Sequence, residues 1–134
     1  MNVVAAVIET DGRILICQRK RGARHALKWE FPGGKVEPGE DSRSALAREL
    51  REELQIEAAV GPRLHTETVR YKNGPAIRLQ FYQVTEFSGE PVNLEFEQIV
   101  WDVRQNLPAY DFLEGDIKFV KKLAGAANHA PASE

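Results

Sequence analysis

Apolar residues recur along this chain in two rhythms, and the switches between them mark out strands and helices. Val3 to Ile8 is almost continuously apolar and β-branched, and Asp11-Gly12 then supplies a dipeptide that accepts the positive φ of a tight hairpin turn. A β-hairpin with the returning run Arg13 to Gln18 is predicted. Lys28 to Phe31 reads as a short strand. Later, Ala58 to Val60, Leu64 to Tyr71 and Ile99 to Val103 read as strands, with a second hairpin signal at Asn73-Gly74. Ile77, Leu79 and Phe81 alternate with Arg78, Gln80 and Tyr82, the period-two signature of a strand with one buried and one wetter face. Gln105 to Phe112, broken by Pro108, reads as a loop.

Two stretches follow the helical rhythm instead. Leu46, Leu50 and Leu54 form one stripe, and Ile117, Val120 and Ala124, widened by Phe119 and Leu123, form another that begins near Gly115-Asp116. Mixed strands around two helices predict an α+β fold, an α/β/α sandwich with a mixed central sheet. No repeat or internal linker interrupts the chain, so a single domain is expected over residues 1–124, followed by a flexible C-terminal tail, residues 125–134.

Composition narrows the function classes. The 134 residues, 43% hydrophobic, suit one core and are too few for two. With 18 Lys and Arg against 20 Asp and Glu, no long-range field gathers a nucleic acid polymer, and an anionic ligand must be met locally. Cys17, the one cysteine, lies in the apolar run Ile14-Leu15-Ile16-Cys17 and reads as a core thiol. The first residues lack a basic, then apolar leader pattern, and no segment has the length of a membrane span. A reducing, cytoplasmic setting is expected, without a membrane partner.

The candidate chemistry gathers in the middle. Pro32-Gly33-Gly34 and Pro38-Gly39 punctuate a loop that runs into the first helix, where Glu49, Glu52 and Glu53 occur. On a helix these carboxylates fall within an arc of roughly 100°, beside the leucine stripe. Glu49 and Glu53 are i,i+4 neighbours, a repulsion of a few tenths of a kcal/mol in an isolated helix, and a divalent cation would offset it. Upstream, Arg19, Lys20, Arg21 and Arg24 occupy a polar loop with Gly22. They form either a solvated basic loop or a phosphate clamp, since guanidinium groups grip phosphate oxygens in a fork.

From Gly34 to Ile56 the sequence is Gly34, five residues, Glu40, seven residues, then Arg48-Glu49-Leu50-x-Glu52-Glu53-x-Gln55-Ile56. This resembles the Nudix box, G-x5-E-x7-R-E-U-x-E-E-x-G-U with U apolar, at every fixed position except Gln55, where the family usually has glycine. The run Trp29-Glu30-Phe31-Pro32-Gly33-Gly34-Lys35 is similar to the MutT-like branch, and the likeness extends from the first hairpin to about Leu123.

That resemblance implies a Nudix-type sandwich carrying a box loop-helix, and Mg²⁺ or Mn²⁺ held by Glu49, Glu53 and Glu52 with the Gly33 carbonyl as a further ligand. Arg48 and Glu52 lie at i,i+4, so Arg48 is placed to orient a carboxylate. Three readings of Glu40 stand open: a supporting place behind the metal-binding glutamates, electrostatics at the helix start, or support of the loop. Glycine after a helix supplies a left-handed terminus. Gln55 either bears a cost of roughly 1 kcal/mol there or ends the helix differently, and an altered helix end is expected.

Outside the box the resemblance implies an acidic residue before a Trp-bearing strand. Glu95 takes the place better than Glu97, as metal ligand or general base; the bland alternative is a solvated loop carboxylate. Arg19 and Lys35 are implied phosphate contacts. Asp116 corresponds to a base-reading position, although Asp also caps helices. Phe31 is a candidate to stack on the base, Trp29 and Trp101 read as core, and His25, His65 and His129 form no metal-ligand pattern.

The implied activity is a Mg²⁺-dependent nucleoside triphosphate pyrophosphohydrolase that cleans modified nucleotides from the pool, working as a monomer or homodimer. Hydrolysis of another X-linked nucleoside diphosphate, such as ADP-ribose or a dinucleotide, is a second reading. A nucleotide-sensing regulator without catalysis is a third.

Overall fold

A computed structural model describes residues 1–129. The strands are β1 (Asn2–Thr10), β2 (Arg13–Gln18), β3 (Trp29–Glu30), β4 (Gly33–Lys35), β5 (Glu57–Ala59), β6 (Arg63–Arg70), β7 (Ala76–Val84), β8 (Glu86–Ser88) and β9 (Gln98–Val103). Helix α1 spans Ser42–Leu54 and α2 spans Glu114–His129, with a 3-10 helix at Arg104–Ala109.

The main sheet runs β3-β2-β1-β7-β6, with β4 also on β1 and β9 also on β2. β1 and β7 are parallel and the other neighbours antiparallel, so the sheet is mixed as expected. Asp11 and Gly12 both take positive φ in the β1–β2 turn. β1 pairs with β2 only at its end, Glu9 to Ile14 and Thr10 to Arg13, while its beginning pairs with β4. The sheet therefore splays between β1 and β2, and the segment from β3 to β4 enters the gap.

Both faces of this sheet are covered. Val4, Ala6 and Ile8 join Leu15, Cys17, Leu46, Leu50 and Leu54 in a core under α1. Ala5 and Val7 join Ile14, Ile16, Phe81, Phe119 and Leu123 in a second core under α2. A strand buried on both sides needs continuous apolar sequence, which is why β1 does not alternate. Cys17 is fully buried, between Glu30 on β3 and Ile99 on β9, and burial pushes its thiol well above the ordinary range.

Several details depart from the sequence reading. The second face of β7 is wet only at Arg78: Gln80 and Tyr82 are 6% and 4% exposed beneath α1. Their polar atoms find partners, with the Tyr82 hydroxyl donating to Gln80 Oε1 at 3.1 Å and Gln80 Nε2 donating to Ser42 Oγ at 3.3 Å. Part of the supposed loop at 105–112 is the 3-10 helix, tied by Asp102 to Asn106 and Tyr110. β8, unanticipated, pairs with β5 in a separate ribbon. Helix α2 continues through residues 125–129, where a tail was expected, in a run whose alanines favour helix; residues 130–134 lie outside the described residues. Among the described residues no helix is long and apolar enough to cross a membrane.

Candidate active site

The splayed sheet opens a cleft of about 740 Å³ between the β1 start, the β3–β4 segment, α1 and the N-terminus of α2. Two glycines bring backbone and helix together at one end. A Cβ on Gly33 would overlap the Val4 carbonyl oxygen, and one on Gly34 would overlap the Glu49 carboxyl. Gly33 N–H donates to Glu53 Oε1 at 3.1 Å. Asp41 starts α1 as its N-cap, accepting from Ser44 N–H at 2.9 Å.

Glu49 and Glu53 hydrogen-bond each other, and burial foremost raises the pKa of both carboxyls; the Glu49 charge adds to the rise at Glu53, while Arg48 opposes it at Glu49. Such a pair holds a proton when no cation is near. Its oxygen donors are the type a hard divalent cation takes. Among the described residues, however, no three His, Cys, Asp or Glu side chains stand as a ready-made metal cluster. Glu52 is 58% exposed and points to Arg48, and Glu95 lines another part of the cleft.

Arg48 organises this end. Its Nε and Nη2 grip Glu40 in a fork at 2.7 and 3.0 Å, Nη1 reaches Glu49 at 3.1 Å and Glu52 at 3.3 Å, and Nη2 also donates to the Lys35 carbonyl at 3.1 Å. Glu40 in turn accepts from Glu37 N–H at 3.0 Å. Glu40 thus ties Arg48, which bonds Glu49 and Glu52, to the loop at Glu37, and the cap of α1 is its neighbour Asp41. The Arg48 fork holds the Glu40 carboxyl below the usual range.

Glu95 lines the cleft and Glu97 does not. Asn93 shapes that turn, its Oδ1 accepting from Glu95 N–H at 3.2 Å and Phe96 N–H at 2.7 Å. Lys35, Arg19, Lys20 and Arg24 also line the cleft. Arg19 is already engaged: Nη1 lies 3.2 Å from both oxygens of Glu30, and Nε donates to the Arg24 carbonyl at 2.7 Å. Asp116 lines the far end, 4% exposed, and its carboxyl oxygens, which have no hydrogen bond within the described residues, are not sealed from the cleft, since no fully buried side-chain oxygen among those residues lacks a partner. It sits inside α2 and is not its cap. Burial first, then the Glu30 charge, raises its pKa well above the ordinary range.

Residues 1–123 match the NUDIX domain family. This chain belongs to the Nudix family. It is 40% identical to the CTP pyrophosphohydrolase of Escherichia coli strain K12 over 98% of this chain and 97% of that protein. It is 37% identical to the putative 8-oxo-dGTP diphosphatase 2 of Mycobacterium tuberculosis, over 97% of this chain and 92% of that one. The solution structure of the E. coli ORF135 protein superposes with a TM-score of 0.85 at 40% identity, over 98% of this chain and 93% of that chain. Nudix hydrolases generally need a divalent metal, which agrees with the donor chemistry at Glu49 and Glu53.

Within this Nudix domain the expected change at the end of the box helix is absent. Gln55 itself takes the left-handed conformation, φ 60° and ψ 33°, and its N–H donates to the Arg51 carbonyl at 3.1 Å. Loop N–H groups of Val92 and Leu94 bond the carbonyls of Leu54 and Glu53, so the surrounding chain fixes the geometry that glycine would favour. Phe31 contributes to the cleft wall but is 4% exposed, packed against Phe81, Phe112 and Phe119. Three cleft residues escaped the sequence reading: Glu30, Tyr71 and His25. Tyr71 packs against His25 with its ring tilted by 41° and centroids 5.0 Å apart, and its hydroxyl accepts from Gly115 N–H at 3.4 Å. Only the polar interruption at Glu30, in an otherwise apolar Trp29–Phe31 strand, was a usable signal.

Proposed function

We propose that this Nudix protein is a Mg²⁺-dependent pyrophosphohydrolase that converts a nucleoside triphosphate to a nucleoside monophosphate and pyrophosphate. The observation that carries the reading is a cleft with Glu53, one of a half-buried carboxyl pair, at one end and the Asp116 carboxyl at the other. The first suits the charged anhydride of a nucleotide, the second a base edge. The residues that would hold Mg²⁺ are Glu49 and Glu53, with Glu52 and the Gly33 carbonyl as further oxygen donors; Mn²⁺ has the same oxygen preference. When bound, the cation neutralises phosphate charge and lowers the pKa of coordinated water.

The chain's own groups do the rest. Arg48 holds the two nearest carboxylates in place, Lys35 and Arg19 meet phosphate oxygens, and Glu95 accepts the proton of the attacking water. Hydrolysis breaks one P–O bond of the anhydride: water delivers its oxygen to one phosphoryl group and the bridging oxygen leaves with the other. Asp116 reads the base. Ionised, it accepts from two N–H groups of a guanine-type edge; protonated, it both donates and accepts, as a cytosine edge requires. The names of the relatives, a CTP pyrophosphohydrolase and an 8-oxo-dGTP diphosphatase, support this substrate range. The role is removal of modified or surplus nucleotides in the cytoplasm.

The test is a panel of CTP, dCTP, 8-oxo-dGTP and ADP-ribose, with and without Mg²⁺. Pyrophosphate release from a triphosphate, dependent on Mg²⁺, is expected. Two phosphomonoesters from ADP-ribose without pyrophosphate from any triphosphate would sink this reading and favour the X-linked diphosphate alternative. Binding without turnover would favour the sensor.

A further inference from the structure

Glu30 is unexplained by the chemistry above. It lies on the two-residue strand β3, between the α1 carboxylates and α2, with its side chain 19% exposed toward the cleft. Its charge reaches both ends, since it raises the pKa of Glu53 on one side and of Asp116 and Tyr71 on the other. A half-buried carboxylate in the middle of a cleft that takes a polyanion is unfavourable unless donors surround it. The protein supplies one guanidinium: Arg19 Nη1, at 3.2 Å from each oxygen. A carboxylate has about four lone-pair sites, so acceptor capacity remains open to the cleft. With phosphates at the α1 end and the base at the Asp116 end, the part of a nucleotide that falls between them is the pentose, whose hydroxyls are donors.

We infer that Glu30 accepts a hydrogen bond from a pentose hydroxyl, and so makes this site select nucleotides that carry that hydroxyl. The inference rests on the proposed orientation of a nucleotide in the cleft. Arg19 then has two tasks, neutralising Glu30 through Nη1 and leaving Nη2, which bonds nothing among the described residues, for phosphate. The bland alternative is that Glu30 merely anchors Arg19.

The experiment compares substrate pairs differing in one hydroxyl, dCTP with 2′,3′-dideoxy-CTP and CTP with 3′-deoxy-CTP, on the wild type, Glu30→Ala and Glu30→Gln. Loss of a hydrogen bond to a charged group corresponds to about 10- to 100-fold in kcat/KM. Wild type is expected to prefer the hydroxylated member by that factor, Glu30→Ala to bring the ratio near one, and Glu30→Gln, which keeps one acceptor oxygen, to retain part of it. A ratio in Glu30→Ala equal to that of wild type, with all rates lowered together, overturns the inference and leaves Glu30 as an anchor. Calorimetric binding of dCMP and 2′,3′-dideoxy-CMP reads the same ratio without turnover. An intact binding preference lost in Glu30→Ala, with no triphosphate hydrolysed, overturns the proposed reaction alone; an absent preference in wild type overturns the inference alone.

Discussion

The two ends of the cleft are built on opposite plans. At the α1 end every carboxylate is held: Arg48 joins Glu40, Glu49 and Glu52, Gly33 N–H holds Glu53, and two glycines press backbone against them. At the α2 end Asp116 is buried without a protein partner, beside Tyr71 and the loop that carries His25 in a left-handed conformation. One end is preorganised by the protein, its carboxylates held by Arg48 and backbone. The other faces the cleft with no protein partner of its own. Chemistry common to all substrates suits the first plan, and selectivity suits the second, because an unpaired buried group penalises the wrong partner.

Substitutions break that comparison in order of size. Glu53→Gln removes one carboxylate of the half-buried pair; loss of several kcal/mol of transition-state stabilisation lowers kcat by at least about 1,000-fold. Thermal unfolding is expected to show the variant folded and no less stable, since a buried repulsion goes with it. Gly34→Ala drives a methyl into the Glu49 carboxyl, and a displacement near 1 Å lowers kcat by about 100-fold. Crystallography of that variant should show Glu49 moved and Arg48 still bound to Glu40.

Asp116→Ala tests the other end, with activity and stability moving in opposite directions. Its kcat/KM for the preferred triphosphate is expected to fall by about 10- to 100-fold, with smaller losses on poor substrates. Because the folded-state pKa of Asp116 is raised above 3.8, its contribution to stability is fully present below that value and is lost as pH rises toward the folded value. The melting temperature of Asp116→Ala should therefore gain on wild type as pH goes from 4 to 7. A gain that shrinks over that range would refute the buried, unpaired assignment. Gln55→Gly is the smallest change: left-handed strain is relieved and glycine entropy added, a net of roughly 0.5 kcal/mol in favour of folding, with rates unaltered.

The same contrast explains what could be read from sequence. The α1 end is written in consecutive residues, so the spacing of Gly34, Glu40, Arg48, Glu49 and Glu53 specified it before any fold was known. Both hairpins were legible because Asp11-Gly12 and Asn73-Gly74 announce themselves. Of the α2 end only Asp116 was named, through the family resemblance; Glu30 and Tyr71 come from β3 and the β6–β7 turn and meet it only in three dimensions. Alternation on β7 misled for a related reason: Gln80 and Tyr82 are polar yet lie under α1, satisfied by each other and by Ser42. Gln55 was read by glycine propensity, and the loop at Val92 and Leu94 overrode it.

Cys17 closes the comparison from beneath. Its thiol sits at the centre of the sheet, flanked by β3 and β9 and protonated by burial, so alkylating reagents reach it only when those strands part. The molecule thus carries its own single reporter. The labelling rate of one native thiol times the opening of the strand pair beneath the cleft, with no engineered probe.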